Sequence, residues 1–278
     1  MDIFSAIIQG AIQGLTEFLP ISSSGHLIIS QHFFNMRSNN LFFSIMLHLG
    51  TLISVILVYF KQIINIISGI FTKNSRYSKK IILNFCISYI PLFLIFAPIP
   101  GTGINLKKFA EILVEPPKLN IVGGSLIFTS CLLFIGILFI KKFKNTSVKK
   151  NSIEKLSFWD TFFIGIAQLF AAIFPGLSRS GSTLAVGLMC EAERQTVIDF
   201  SFLMSIPAIL AASALELLEF KNTNFISLNL NLLLTGILSS AVFGVLAIGL
   251  FKWILEKNKI WIFGIYTFIL GVILVFIN

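Results

Sequence analysis

The sequence predicts an all-α integral membrane protein built from two related halves of opposite orientation, and three observations carry that expectation. Of its 278 residues, 56% are hydrophobic and 12% charged, with a mean hydropathy of +0.92, which leaves too little polar surface to coat a water-soluble globule of this size. Several apolar runs approach or exceed the roughly 20 residues that an α-helix needs to cross about 30 Å of hydrocarbon. Finally, Gln13-Gly-Leu-Thr-Glu17-Phe-Leu-Pro20-Ile-Ser22-Ser23-Ser24-Gly25-His26 returns, altered, about 155 residues later as Gln168-Leu-Phe-Ala-Ala172-Ile-Phe-Pro175-Gly-Leu-Ser178-Arg179-Ser180-Gly181-Ser182.

In both copies a glutamine precedes a proline by seven residues, and a Ser-x-Ser-Gly turn follows once an extra residue at Gly176 is allowed. A second echo pairs Phe43-Ser-Ile-Met-Leu-His48-Leu-Gly50 with Phe200-Ser-Phe-Leu-Met-Ser205-Ile-Pro207. The first repeat is therefore expected over 1–140 and the second, inverted, over 158–278, with a linker at 141–157.

Six spans are expected, at 41–60, 80–98, 118–140, 198–218, 226–251 and 260–277. Charge orients them. The net charge of +9 gathers in three loops: Lys61, Lys73, Arg76, Lys79 and Lys80; Lys141, Lys142, Lys144, Lys149, Lys150 and Lys155 against Glu154; and Lys252, Lys257 and Lys259 against Glu256. Loops with such a bias face the cytoplasm, which accounts for the positive charge without a nucleic acid partner. The loop Pro98–Pro117 balances Lys107 and Lys108 with Glu111 and Glu115, and the loop Glu219–Phe225 is also balanced, so both belong outside.

With those sides fixed, 1–40 starts and ends outside, whereas 158–197 starts and ends inside. Each is expected to be a re-entrant helical hairpin, the two meeting near the midplane as inverted repeats do. Broken backbone survives at that depth only where it is buried in protein or lines a cavity. Asp2 and the lack of a basic amino-terminal region predict no cleavable signal peptide. Cys86, Cys131 and Cys190 have no pairing or metal-ligand spacing and are expected to serve packing.

The chemistry is expected at the two breaks. Gln9, Gln13 and Glu17 lie four apart and so share a helix face. An ionisable residue such as Glu17 inside a membrane is costly unless paired or wetted, which makes function its default reading. Ser22, Ser23, Ser24 and Gly25, with His26 following, form a turn rich in hydroxyls and N–H groups that suits an anion; serines before helices also serve simply as caps. Arg179, flanked by Ser178 and Ser180 and followed by Ser182 and Thr183, offers a permanently charged fork for phosphate oxygens. Its expected counterpart is Glu17 of the opposite hairpin, or an anionic ligand held between them.

The repeats are complementary: Ser23 aligns with Arg179, Glu17 with Ala172 and His26 with Ser182, so neither half builds the site alone. Together they suit phosphoryl chemistry, in which positioning and charge neutralisation do most of the work. His48 is expected to be a satisfied core histidine somewhat more than a catalytic one. Asp199 is expected to complement the dipole in the first turn of its helix or to act at the site, and His32 and Arg37 to lie near the exit of the first hairpin.

These residues carry a family resemblance over the whole chain. Gln13-Gly-Leu-Thr-Glu17 is similar to the [Glu/Gln]-x-x-x-Glu motif, and Pro175-Gly-Leu-Ser178-Arg179-Ser180-Gly-Ser-Thr183 to the Pro-Gly-x-Ser-Arg-Ser-x-x-Thr motif, of the undecaprenyl-diphosphate phosphatases of bacteria, the bacitracin-resistance family. The segment Leu-Pro20-Ile-Ser-Ser-Ser-Gly-His26 resembles that family's serine-histidine turn. The resemblance implies a phosphatase in the bacterial plasma (inner) membrane, its site open towards the periplasm, which hydrolyses undecaprenyl diphosphate and related prenyl diphosphates to recycle the peptidoglycan lipid carrier. It also implies a catalytic set of Glu17, Ser23, His26 and Arg179, with Gln13, Ser22, Ser24, Ser178, Ser180 and Thr183 binding substrate. Glu17 would hold a divalent cation, Mg2+ or Ca2+, without the second glutamate that some members carry at the position of Gln13. Ser23 is favoured as nucleophile, with His26 as the alternative, and a homodimer is left open. A lipid transporter would use the same Arg and Ser residues; Glu17 and His26 are what favour hydrolysis over it.

Overall fold

The computed structural model of the chain describes residues 2–33, 41–72, 75–114, 118–142, 150–220 and 230–277. Among them there is no β-strand, and the fold is a bundle of helices. Two helices, α1 (Ile3–Phe18) and α2 (Ser23–Phe33), flank the first sequence break. They are followed by α3 (Leu41–Gly69), α4 (Ser75–Tyr89), α5 (Leu106–Val114) and α6 (Leu119–Lys142). The second half begins with α7 (Phe158–Ile173) and α8 (Arg179–Met189) around the second break, then α9 (Arg194–Phe220), α10 (Leu230–Glu256) and α11 (Trp261–Phe276).

Five stretches are long and apolar enough to cross a membrane: Phe43–Gly69, Ser75–Phe96, Leu119–Ile140, Arg194–Leu215 and Leu230–Glu256. The protein is thus an all-α, multi-pass membrane protein. The sixth expected span, 260–277, is α11, which is apolar but has only 16 residues, about 24 Å of helix. Several helices outrun their apolar runs. Backbone hydrogen bonding does not stop where hydropathy falls, so α3 continues past Lys61 to Gly69 and α10 past Lys252 to Glu256. In contrast, α4 ends at Tyr89 and tightens into a 3-10 turn at Pro91–Phe96, because proline lacks the N–H of the next helical bond.

The balanced loop 98–117 contains a helix that hydropathy did not indicate. In α5 one turn places Glu111 against Lys107 at 3.8 Å and Lys108 at 3.0 Å. The cysteines also differ from expectation: Cys86 and Cys131 are on the outer surface of the bundle and only Cys190 is half-buried. Arg37, Lys73, Glu115, Lys144, Lys149 and most of the 219–225 loop lie outside the described residues.

Small residues bring the helices together. A Cβ on Gly10 would lie 2.6 Å from the Gly236 carbonyl, and one on Gly14 would lie 2.8 Å from the Gly244 nitrogen, so α1 beds directly on α10. Likewise, Gly165 of α7 seats against the Ser88 carbonyl of α4, and Gly123 of α6 faces Gly271 of α11. Hydrogen bonds add glue between α3 and α10: Ser240 Oγ donates to the Leu47 carbonyl (2.8 Å) and Ser54 Oγ to that of Ala241 (2.9 Å). Apolar helices have no hydrophobic drive to associate in lipid, so such close approaches and interhelical hydrogen bonds must hold them.

Gly165→Val would force a branched side chain into backbone, and overpacking of this kind costs about 1–3 kcal/mol. The variant should unfold at a lower temperature in detergent, whereas Gly124→Val, where a Cβ meets nothing within 4 Å, should melt like the parent.

Candidate active site

Each break is terminated by proline and restarted by a serine cap. After α1, Leu19 is extended and Pro20 cannot continue the helix. Ser22 turns the chain with φ 72° and accepts from the Gly25 N–H through its Oγ (3.3 Å). After α7, Pro175 and Gly176 turn the chain, Gly176 at φ 90°; a Cβ there would also lie 2.7 Å from the Val122 carbonyl of α6, so only glycine fits. Ser178 then caps α8, its Oγ accepting from the Gly181 N–H at 3.0 Å.

The two breaks touch. Ser180 Oγ donates to the Leu19 carbonyl (2.9 Å), one of the acceptors freed where α1 stops. The Gly176 N–H reaches Ser24 Oγ at 3.5 Å, and the Ser178 N–H reaches Thr129 Oγ1 of α6 at 3.1 Å.

At the junction sits a buried ion pair. Glu17, 7% exposed, is bound through Oε1 by the Arg179 guanidinium. Its other oxygen, Oε2, accepts from Gln13 Nε2 at 2.9 Å and from Ser23 Oγ at 2.6 Å. Behind Glu17, Phe18 is fully buried against Phe202, with Phe251 and Phe263 continuing the aromatic wall. On the other side the site is open, since Ser24 is exposed and Ser23, His26 and His48 are partly so.

Of the residues singled out in the sequence, Gln13, Glu17, Ser23 and Arg179 form one connected cluster. Ser22 and Ser24 line the first turn 3.3 Å apart. The hydroxyls of Ser178, Ser180 and Thr183 hold backbone and neighbouring helices instead: Thr183 Oγ1 donates to the Arg179 carbonyl (2.8 Å) and pairs with Ser201 Oγ (2.7 Å). His26 is bound on both ring nitrogens by other groups. Its Nδ1 meets the Ser22 carbonyl at 2.7 Å and its Nε2 the Tyr266 hydroxyl at 2.6 Å, the two rings being stacked.

Such a composite of two proline breaks, one acidic and one basic, can be compared with known proteins along the whole chain. A sequence profile described as bacitracin resistance protein BacA matches residues 6–273. The chain belongs to this family. It is 35% identical to the undecaprenyl-diphosphatase of Carboxydothermus hydrogenoformans, over 98% of this chain and 96% of that one. It is 36% identical to the undecaprenyl-diphosphatase of Caldicellulosiruptor bescii, over 99% and 97%, and 35% identical to that of Bacteroides fragilis, over 100% and 99%.

Two residues beside this junction stand apart from the sequence reading. His48, expected mainly in the core, has its Nε2 3.8 Å from Glu17 Oε2; the second repeat echo, which contains it, was the available signal. Tyr266, on apolar α11, carried no signal at all. Asp199 lies beyond the first turn of α9, which begins at Arg194. It accepts from the Tyr59 hydroxyl (2.7 Å) and from Gln195 Nε2 (2.8 Å), with Lys252 Nζ 4.3 Å from the centre of the Tyr59 ring. That cluster ties α3, α9 and α10 together on the far side of the aromatic wall. His32 is exposed in the last turn of α2.

Removing one partner of a buried ion pair leaves an uncompensated charge and typically costs about 3–5 kcal/mol. Glu17→Gln and Arg179→Gln should each lower the unfolding temperature in detergent, and the double variant should recover most of the loss. Additive losses in this double-mutant cycle would show that the two groups do not couple.

Proposed function

We propose that the protein is a membrane phosphatase that hydrolyses undecaprenyl diphosphate to undecaprenyl phosphate and inorganic phosphate, recycling the peptidoglycan lipid carrier and conferring bacitracin resistance. The observation that carries this reading is the junction of the two breaks: a carboxylate that already holds a serine hydroxyl is bound to a guanidinium from the other half. Family membership and the activity named for the relatives supply the substrate.

In this reading the diphosphate enters on the open side and draws the Arg179 fork from Glu17 onto its terminal phosphate, exchanging one charge-assisted pair for another. Ser23 Oγ, whose proton already points at Glu17 Oε2, attacks the terminal phosphorus as Glu17 takes that proton. The bond to the bridging oxygen breaks, and undecaprenyl phosphate leaves. Water then attacks the phosphoserine; Glu17 returns its proton to Ser23 Oγ, both of the water's protons leave with the departing phosphate, and the enzyme is restored. His26 has both ring nitrogens engaged by the Ser22 carbonyl and Tyr266, which favours Ser23 over His26 as nucleophile and gives His26 the task of shaping the serine turn.

A divalent cation such as Mg2+ or Ca2+ fits this site in part. Among the described residues no three His, Cys, Asp or Glu side chains gather to hold a metal, but hard cations are commonly bound by one or two carboxylates plus substrate phosphates. Glu17 would hold the ion together with Gln13, whose Oε1 is buried without a donor. A bound ion would supply charge neutralisation on the diphosphate.

The membrane arrangement belongs to the same proposal. The helix packing supports inverted repeats over 1–140 and 158–278: exchanging the halves converts the pairing of α1 with α10 into that of α7 with α4, and leaves α3 with α9 and α6 with α11 unchanged. Lys150 of the linker binds Asp160 at the start of α7 (2.6 Å) and the Cys190 carbonyl at the end of α8 (2.9 Å), so both ends of the second hairpin lie on one side, as re-entry requires. The site opens beside the first turns of α3, which loop charge assigns to the periplasm.

Phosphate release from C15 and C55 prenyl diphosphates by the purified protein tests the proposal. Release should fall on chelation and by about 100-fold or more in Glu17→Ala and Arg179→Ala, the scale expected when a group stabilising developing charge is lost. Unchanged turnover in Arg179→Ala would remove that residue from the mechanism.

A further inference from the structure

Tyr266 ties the last helix of the chain to the first break. Beyond Trp261 in its first turn, α11 has two polar side chains, Tyr266 and Thr267. The Thr267 hydroxyl stays on its own helix, meeting the Phe263 carbonyl at 2.9 Å and the Gly264 carbonyl at 3.2 Å. The Tyr266 hydroxyl instead leaves α11 and meets His26 Nε2 at 2.6 Å. The two rings also stack, with centroids 5.6 Å and planes 13° apart. A phenol hydroxyl both donates and accepts, so this bond holds whether the imidazole is neutral or charged. On a helix that is otherwise apolar, a hydroxyl is costly unless it is bonded, and His26 is where this one is spent.

The other ring nitrogen acts on a strained turn. His26 Nδ1 lies 2.7 Å from the Ser22 carbonyl, which also accepts from the His26 backbone N–H at 3.2 Å. Ser22 is a buried residue other than glycine at φ 72°, a conformation that persists only where its neighbours over-determine it. The peptide that leaves Ser22 carries Ser23, whose Oγ donates to Glu17 Oε2 at 2.6 Å. Rotation of that peptide would re-aim the hydroxyl. The His26 ring thus has two tethers, the Ser22 carbonyl and Tyr266.

We propose that Tyr266 is a positioning residue: through His26 it fixes the Ser22 peptide and thereby the aim of the Ser23 hydroxyl. The inference rests on the proposed function, in which Ser23 attacks phosphorus, and adds to it a side chain of the second repeat that acts at one remove. A misplacement of about 1 Å can cost about 100-fold in rate. Tyr266→Phe keeps the ring and its stacking and removes only the hydroxyl. It should lower kcat on a C15 prenyl diphosphate by about 10-fold and leave KM within about 2-fold, because the Arg179 fork is untouched.

Two measurements on the purified full-length protein in detergent decide the matter. The chain has three histidines, so 15N-histidine labelling gives a sparse spectrum in which His26 is identified by its loss in His26→Gln. Tyr266→Phe should move the His26 Nε2 resonance and leave that of His32 in place. In a double-mutant cycle on kcat, Tyr266→Phe should cost nothing further in a His26→Gln background, whereas a merely structural role would act there too. His26→Asn replaces His26→Gln if the latter does not fold. An unmoved His26 resonance, wild-type kcat in Tyr266→Phe, or losses that multiply in the double variant would overturn the proposal and leave the phosphatase reading standing. No phosphate release from wild type, with the resonance shift present, would instead remove the phosphatase reading and this role with it.

Discussion

The constraint from which the rest follows is that a helix interrupted inside a membrane protein must find partners for the backbone groups it frees, and here two interruptions supply one another. The Leu19 carbonyl is met by Ser180, and the Gly176 N–H by Ser24. The Leu19 carbonyl also accepts from the Ile21 N–H, but the contacts between the breaks lock the halves together where Glu17 meets Arg179. Most of the conspicuous serines are therefore structural in the first instance: they cap α2 and α8, hold the turns and leave Ser23 as the hydroxyl presented to a carboxylate.

Burial then determines what the charged pair can do. In a low-dielectric setting an ion pair is strong and an isolated charge is expensive, so a site that waits for an anion is best kept paired until that anion arrives. In the proposed function Glu17 would stand in for a phosphate, occupying Arg179, while the aromatic wall of Phe18, Phe202, Phe251 and Phe263 packs beside the Tyr59, Asp199 and Lys252 cluster. The buried guanidinium is thereby never left bare.

Much of this was legible in the sequence because membrane proteins write their constraints in composition. Long apolar runs marked the spans, and the repeated Gln, Pro and Ser-Gly pattern located both breaks and the pairing of Glu17 with Arg179. What escaped depended on direction in space. Nothing local distinguishes His48 facing a carboxylate from a histidine buried in the core, because the partner lies 31 positions away on another helix. Tyr266 looks like any aromatic on a lipid-facing helix until its hydroxyl is seen at His26. The helix α5 was missed because its loop is polar and short, and α4 appeared longer because hydropathy does not register the hydrogen bond that Pro91 removes. Cys86 and Cys131 faced outward because in lipid a small apolar side chain gains little by turning inward.

The distance along the chain between the partners of the buried pair has a consequence for biogenesis. Glu17 precedes Arg179 by 162 residues, so at about 5–20 residues per second the ribosome makes the acid roughly 10–30 s before its cation. During that interval the amino-terminal hairpin carries a carboxylate with no guanidinium to meet it. It must either remain wet at the translocon or bind a proton until the second hairpin emerges, so the first hairpin reaches its charged, paired state only after the chain has passed its midpoint.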